Sequence, residues 1–146
     1  MRYLIACILL LFIFSYISCK KDVVATNSDY NLSFSDDSLH FDTVFTAKGS
    51  VTYEMKIYNR GNAPTVLSDI QLMGGTSSSF NINVDGYVGP RIYNLEIDAN
   101  DSVYLFATVN IDPTDENIPF VVRDSVKITE NGSSKYIQLE AYGQNA

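Results

Sequence analysis

The sequence contains no tryptophan, one histidine and only two cysteines, Cys7 and Cys19. Both cysteines belong to an apolar N-terminal stretch, so the chain from Lys20 to Ala146 holds none. An internal disulfide or a thiolate metal site is therefore excluded in that body. Since His40 is the sole histidine, a His-pair metal site is excluded, and a Ser/His/Asp triad could use only this residue.

Basic residues are also few. Ten Lys and Arg stand against 17 Asp and Glu, which gives a formal net charge of −7, and the longest basic run is Lys20-Lys21. Neutralising a phosphate backbone requires clustered cations. The sequence therefore predicts no nucleic-acid partner.

The remaining catalytic candidates have plainer explanations. Alternation in "DDSLHFDTVF" packs Leu39 and Phe41 and turns His40 toward solvent on a strand. Close acidic pairs occur only in predicted turns, where Asp accepts local backbone N–H bonds; they are Asp36 with Asp37, Asp98 with Asp101, and Asp112 with Asp115 and Glu116. The last group lacks the ligand spacing of a calcium loop. We expect no enzyme activity, no metal and no cofactor.

The first 18 residues have the layout of an export signal. Met1 and Arg2 form a short positive end, and an apolar block runs from Tyr3 to Phe14. The block matches a signal-peptide core of about 7–15 residues and falls short of the ~20 residues that span a bilayer. Residues 1–18 are therefore predicted to be a signal peptide.

Residues Tyr16 to Cys19 resemble the lipobox of bacterial lipoproteins, although Tyr16 stands where Leu is usual. The resemblance implies that Cys19 is diacylated on sulfur and becomes the N-terminus after cleavage, so that it anchors the protein to the cell envelope, we expect at the outer membrane. An ordinary cleaved signal peptide or an uncleaved anchor are the alternatives. Residues 19–31 are polar and aperiodic, which indicates a flexible tether.

From Leu32 onward, apolar and polar residues alternate with the period of two that is typical of half-buried strands. The clearest runs are Val51–Ile57, Phe80–Val84, Val103–Ile111, Phe120–Ile128 and Ile137–Ala141. Asp85-Gly86 and Asn131-Gly132, between such runs, tolerate positive φ and are typical of tight hairpins. Short strands separated by turns predict an all-β antiparallel β-sandwich of about seven or eight strands over residues 32–146.

Three stretches carry a family resemblance: "IYNRGNAPTVLSDIQLMGG", "LEIDANDSVYLFATVNIDP" and "IQLEAYG". They resemble the immunoglobulin-like domains of the choice-of-anchor and ASH/Hydin type, over about residues 32–146. "FDTVFTAKGSVTYEMKIYN" and "EAYGQNA" are similar to N-terminal domains of Bacteroidetes surface lipoproteins. The resemblance implies an immunoglobulin-like sandwich that acts as a spacer or as a docking or adhesion module, with an exposed edge strand as the docking element. It also leaves open an accessory domain of a larger β-helix protein.

A carbohydrate-binding role is the other alternative. Ten Tyr and eight Phe are present, and alternation points Tyr58, Tyr104 and Phe106 away from the core rows. Such a surface could stack on sugars and hand glycans to a partner transporter. Ordinary sheet packing also explains the aromatics, since they favour strands.

Four Asp-Ser/Thr-aliphatic tripeptides resemble the O-glycosylation sequon of exported Bacteroidetes proteins, with the candidate sites Ser38, Thr43, Ser102 and Ser125. The competing explanation is that Asp-Ser starts a strand after a turn.

Overall fold

The computed structural model describes residues 31–45, 51–111 and 120–144. Cys19, the signal peptide and the loop from Asp112 to Glu116 lie outside the described residues, so the predictions made for them stay predictions. The ten described strands are β1 Leu32–Phe34, β2 Ser38–Phe45, β3 Val51–Asn59, β4 Thr65–Leu72, β5 Phe80–Val84, β6 Tyr87–Val88, β7 Arg91–Ile97, β8 Ser102–Val109, β9 Phe120–Glu130 and β10 Ser133–Gln144.

The strands form two sheets of five. Sheet A has the order β1-β3-β8-β5-β6, and sheet B has the order β2-β10-β9-β4-β7. The predicted immunoglobulin-like β-sandwich is therefore confirmed, but two of its details were wrong. The strand count was low because β1 and β6 have only three and two residues, too few to show alternation. Within the described part of the chain, β2 pairs in parallel with β10, whereas the sequence had predicted antiparallel pairing throughout.

The core lies between the inner faces of the two sheets. Phe41 of sheet B sits at its centre, with its ring centroid 4.8 Å from that of Tyr53 and 5.5 Å from that of Phe80, both on sheet A. Phe41 is 1% exposed. Such a contact between the two sheets fixes their separation, because a buried aromatic ring is among the largest apolar groups that a core holds.

Both predicted hairpin turns are present. Asp85 and Gly86 join β5 to β6 with φ of +50° and +87°, and Asn131 and Gly132 join β9 to β10 with φ of +46° and +79°. Two consecutive positive φ values are typical of a type I′ turn, whose twist matches that of the flanking strands. These two turns therefore fix the register of their hairpins.

Both edge strands of sheet B depart from strict alternation, and β2 contains a bulge. In β2, Asp42 and Thr43 are both exposed, at the point where the register with β10 shifts. In β7, Tyr93 and Asn94 are both exposed and Asn94 has a φ of +53°, although the register of β7 with β4 does not shift. The extra residue in β2 bends that edge strand and disrupts the ladder that another strand would extend.

One end of the sandwich buries polar groups. The amide nitrogen of Asn59 donates to the carbonyl oxygens of Ala63, Ile97 and Asp98 at 2.8, 3.1 and 3.0 Å. Its amide oxygen accepts a hydrogen bond from Gly61 N–H at 2.9 Å. The Asn-x-Gly motif of the sequence is therefore a buried clamp that satisfies the backbone of two turns.

A second buried polar pair lies on sheet B. The Thr65 hydroxyl donates to Oε1 of Glu130, and both residues are at most 2% exposed. Within the described residues, Oε2 of Glu130 has no hydrogen-bond partner. A buried carboxylate is unfavourable in an apolar layer. The core is therefore less apolar at the end of β9, where Glu130 lies, than at its centre.

Candidate functional site

The outer surface of sheet A combines aromatic and polar side chains. We call it the aromatic face, and its residues alternate with the buried rows of the three longest strands of sheet A: Thr52, Glu54, Lys56, Tyr58, Asn81, Asn83, Ser102, Tyr104, Phe106 and Thr108. The predicted outward orientation of Tyr58, Tyr104 and Phe106 is therefore confirmed. Because neighbouring strands are in register, these side chains form continuous rows across the sheet.

Two aromatic rings lie at the centre of this face. The ring centroids of Tyr104 and Phe106 are 5.7 Å apart, with an interplanar angle of 17°. Lys56 Nζ lies 4.7 Å from the Tyr104 centroid, and Tyr104 raises the pKa of Lys56. Nearby, Arg60 Cζ lies 4.3 Å from the centroid of Tyr58. Cations therefore cover two of the rings in a cation–π geometry, while Phe106 has no such cover among the described residues.

A groove of about 380 Å³ lies beside Phe106. It is lined by Thr52, Asn81, Ile82, Asn83, Val88, Phe106 and Thr108. Phe106 is opposite Asn83, and Thr108 is opposite Asn81, so the aromatic ring is flanked by amide and hydroxyl groups. This combination of an apolar floor with a few polar groups is typical of a small-ligand site.

A second concavity of about 280 Å³ lies between β9 and the connection from β4 to β5. Its carboxylate, Asp124, already accepts hydrogen bonds from the N–H of Gly74 and Ser125 and from the Ser78 hydroxyl. A Cβ at Gly74 would lie 2.5 Å from the same carboxylate. The Asp124 carboxylate therefore holds the connection between β4 and β5 in place, and few of its lone pairs remain to bind a ligand.

On the outer face of sheet B, a hydroxyl, an imidazole and a carboxylate lie next to one another in space. Ser38 Oγ lies 2.9 Å from His40 Nε2, and His40 Nδ1 lies 3.7 Å from Glu140 Oε1. The sequence did not reveal this set, because the parallel register of β2 with β10 is what brings Glu140 opposite His40. The connectivity matches that of a nucleophile, base and acid.

The geometry of this set does not support nucleophilic catalysis. Glu140 accepts hydrogen bonds from Arg123 and from Tyr142, and Arg123 above all lowers the pKa of Glu140. The 3.7 Å separation exceeds a hydrogen bond, and the His40 side chain is 66% exposed, as predicted for a solvent-facing strand residue. Neither groove described above is lined by Ser38, His40 or Glu140.

The edge strands are poor docking elements. The edges of sheet A are β1 and β6, with three and two residues, and the edges of sheet B are the bulged β2 and β7, in which Asn94 has a positive φ. Strand addition needs a regular row of free N–H and C=O groups. The hypothesis of an edge-strand docking element is therefore weaker than that of a docking face.

The four candidate glycosylation residues lie on three strands, with Ser38 and Thr43 on β2, Ser102 on β8 and Ser125 on β9. Thr43 is exposed and the other three are partly buried. Asp101 and Asp124 each accept the N–H of the following serine at 2.7 Å. These bonds fit the strand-start explanation for Ser102, while modification at all four residues stays a prediction.

Other site classes are limited in the described residues. No group of three or more His, Cys, Asp or Glu is placed to hold a metal ion within residues 31–45, 51–111 and 120–144. Of the two turn pairs described, Asp37 binds Lys135 at 2.8 Å, and Asp98 accepts the N–H of Asp101 through its carbonyl oxygen. The described segments also include no helix with the length and apolarity needed to cross a membrane.

No family model and no curated protein matches this chain. Among solved structures, a protein of unknown function from Porphyromonas gingivalis W83 is similar over 76% of this chain and 46% of its own, with a TM-score of 0.57 and 17% identity. The ASH/PapD-like domain 7 of human CEP192 is similar over 88% of this chain and 94% of its own, with a TM-score of 0.53 and 10% identity.

A family 123 glycoside hydrolase from Clostridium perfringens is similar over 75% of this chain, with a TM-score of 0.53 and 11% identity. The chain spans only 23% of that hydrolase and 46% of the Porphyromonas protein. At these identities the likeness shows the fold alone, an immunoglobulin-like or PapD-like β-sandwich.

Proposed function

We propose that this chain is a non-catalytic, lipid-anchored module of the bacterial cell envelope, similar to Bacteroidetes surface lipoproteins, whose sandwich serves as a spacer and docking unit. The observation that carries the docking role is the aromatic face, with its Tyr104 and Phe106 rings and the groove beside Phe106. An aromatic surface with a concavity is a common feature of binding sites.

The anchoring part of the proposal rests on the sequence. The apolar block ends at a lipobox-like Tyr16–Cys19, and Cys19 is the last cysteine of the chain. With two or three acyl chains on one residue, the membrane affinity would be high, because each buried CH₂ contributes about 0.8 kcal/mol. Without Arg2, the body that begins at Cys19 has 9 basic and 17 acidic side chains, and its net charge of −8 would hold it away from anionic headgroups. This suits a domain displayed on a tether.

The non-catalytic part of the proposal rests on the geometry of Ser38, His40 and Glu140, in which the histidine is exposed to solvent and lies 3.7 Å from the carboxylate. An activated serine needs a base held in place by its acid and a substrate pocket with oxyanion donors. Glu140 is instead engaged by Arg123 and Tyr142. The set is better explained as a surface hydrogen-bond network on sheet B.

An esterase assay tests this part. We expect the wild-type protein and Ser38→Ala to hydrolyse p-nitrophenyl acetate and butyrate at equal, non-saturating rates, because the exposed imidazole alone sets the background. Ser38→Ala keeps His40 and is therefore the matched comparison. A saturable wild-type rate that Ser38→Ala abolishes would show that the serine is a nucleophile.

A second candidate function is carbohydrate binding, in which the lipoprotein passes glycans to a partner transporter. It is favoured by one observation, the convergence of Tyr104, Phe106 and the asparagines Asn81 and Asn83 on a single face. This role is compatible with the proposed anchor and with the proposed non-catalytic function, and it would limit the docking function to one class of ligand.

A further inference from the structure

We propose that the groove beside Phe106 binds an uncharged glycan chain, with the apolar face of one pyranose ring resting against the Phe106 ring. This inference rests on the proposed docking function and names its site and its ligand class. The aromatic residues alone do not identify this site, because it also depends on the polar groups that the β5–β8 register brings next to the Phe106 ring.

The charge of the groove selects a neutral ligand. All seven lining residues are uncharged, although the chain carries ten basic and 17 acidic residues. An anionic ligand would find no cation among the lining residues and would lie near the carboxylate of Glu54, which stands opposite Phe106 on β3. A cationic ligand would find no carboxylate among the lining residues. A polar but uncharged molecule loses far less solvation free energy than an ion does when it enters such a site.

The arrangement of polar groups fits a molecule with one apolar face and a hydroxylated rim. Thr52, Thr108 and Asn81 stand in one row across three strands, next to the row of Glu54, Phe106 and Asn83. Neighbouring strands lie about 4.8 Å apart, so this polar row extends for roughly the width of a sugar ring. A pyranose presents its C–H groups to an aromatic ring and its hydroxyls to amides at the edge.

Several of these polar atoms are available to a ligand. Within the described residues, the side chains of Asn81, Thr52 and Thr108 make no hydrogen bond to the protein. Asn83 is partly used, because its Oδ1 accepts the N–H of Gly86 at 2.9 Å. That bond holds Asn83 in place beside Phe106 and leaves its NH₂ group to donate to a ligand hydroxyl.

The position of the groove favours an internal part of a chain over a free end. It lies on the outer face of a sheet, bordered on one side by the short strand β6, whose Val88 is 75% exposed. Its volume of about 380 Å³ is at the lower end of ligand sites, which span about 300–1,000 Å³. We therefore expect it to contact one or two sugar units of a longer glycan.

Binding to neutral glycans tests the inference. Full-length protein in a detergent without a sugar headgroup is titrated with neutral hexasaccharides of glucan, mannan, xylan and galactan type, and polygalacturonate serves as the anionic comparison. We expect at least one neutral glycan to bind and Phe106→Ala to weaken that binding by about tenfold or more. Asn81→Ala, which breaks no protein hydrogen bond, should weaken it by about five- to tenfold.

Tyr136→Ala is the matched control, because Tyr136 is an aromatic residue of sheet B that is 48% exposed. Glycan affinity should not change in this variant, and thermal unfolding should show that Phe106→Ala and Asn81→Ala keep their fold. The inference is wrong if no neutral glycan binds or if polygalacturonate binds more tightly than the neutral glycans. It is also wrong if Tyr136→Ala lowers glycan affinity as much as Phe106→Ala and Asn81→Ala do. It is also wrong if Phe106→Ala abolishes only a self-association of the protein. None of these results would contradict the proposal that Cys19 is acylated and anchors the protein, which is tested separately.

Discussion

Replacing Cys19 by serine is expected to abolish acylation of the protein and its display at the outer membrane. The physical reason is that the Cys19 thiol is the only group in the lipobox-like stretch Tyr16–Cys19 to which a thioether-linked lipid can attach. Without the acyl chains, the body beyond Cys19 keeps only its negative charge, which anionic headgroups repel. We expect the effect to be close to complete, because one residue carries the whole anchor.

The measurement is incorporation of an alkyne-labelled fatty acid in cells, followed by separation of the inner and outer membranes. Cys7→Ser is the matched control, since Cys7 is the other cysteine of the chain and lies inside the apolar block. Wild type and Cys7→Ser should carry the label and reach the outer membrane, while Cys19→Ser should be unlabelled. The label is the decisive readout, because a precursor that keeps its leader would still sediment with membranes. A labelled Cys19→Ser protein would refute the assignment.

Replacing Asn59 by alanine is expected to cost on the order of 3–5 kcal/mol of unfolding free energy, a large fraction of the stability of a domain of this size. The Asn59 amide makes four hydrogen bonds to backbone groups at a buried end of the sandwich. Alanine would remove all four of these bonds, and of the three carbonyl oxygens the one of Asp98 would keep the N–H of Asp101 as a partner. A buried polar group that loses its partner costs about 1–3 kcal/mol.

Urea unfolding followed by circular dichroism measures this effect. Asn62→Ala is the matched control, because Asn62 lies in the same turn, is exposed and makes no side-chain hydrogen bond within the described residues. We expect its stability to stay within about 0.5 kcal/mol of wild type. If the midpoints of Asn59→Ala and Asn62→Ala coincide, the amide is not the clamp that the geometry indicates.

The alternating rows of the sequence predicted most of the long strands because each has one face in the core. The same logic predicted that Tyr104 and Phe106 face outward, and the dipeptides Asp85-Gly86 and Asn131-Gly132 marked two hairpins. These features depend on residues close in sequence. Side-chain direction on a strand and positive φ in a turn are local properties.

The features that sequence reasoning missed depend on pairing between distant segments. The β2 bulge at Asp42–Thr43 breaks alternation in a strand of eight residues, and its effect on register is visible only against β10. The Ser38, His40 and Glu140 set likewise needs the parallel pairing of β2 with β10. Ser38 and His40, two residues apart on one strand, gave a partial signal that could have suggested a shared face.

The groove was missed for the same reason. Asn81 and Asn83 lie about 25 residues before Phe106 in sequence, and they become its neighbours only through the β5–β8 register. Within "SFNINV" the alternation predicted two polar residues on the solvent side and nothing more specific. Their role as the rim of an aromatic floor follows from the order of strands in sheet A.

The most direct measurement on the central proposal is the mass of the N-terminal peptide of protein purified from its native membranes. The account of an anchored module predicts a peptide that begins at Cys19 and carries a diacylglycerol thioether, with or without a further acyl chain on its amine. A peptide that begins at another residue, or an N-terminal Cys19 with a free thiol, would contradict it.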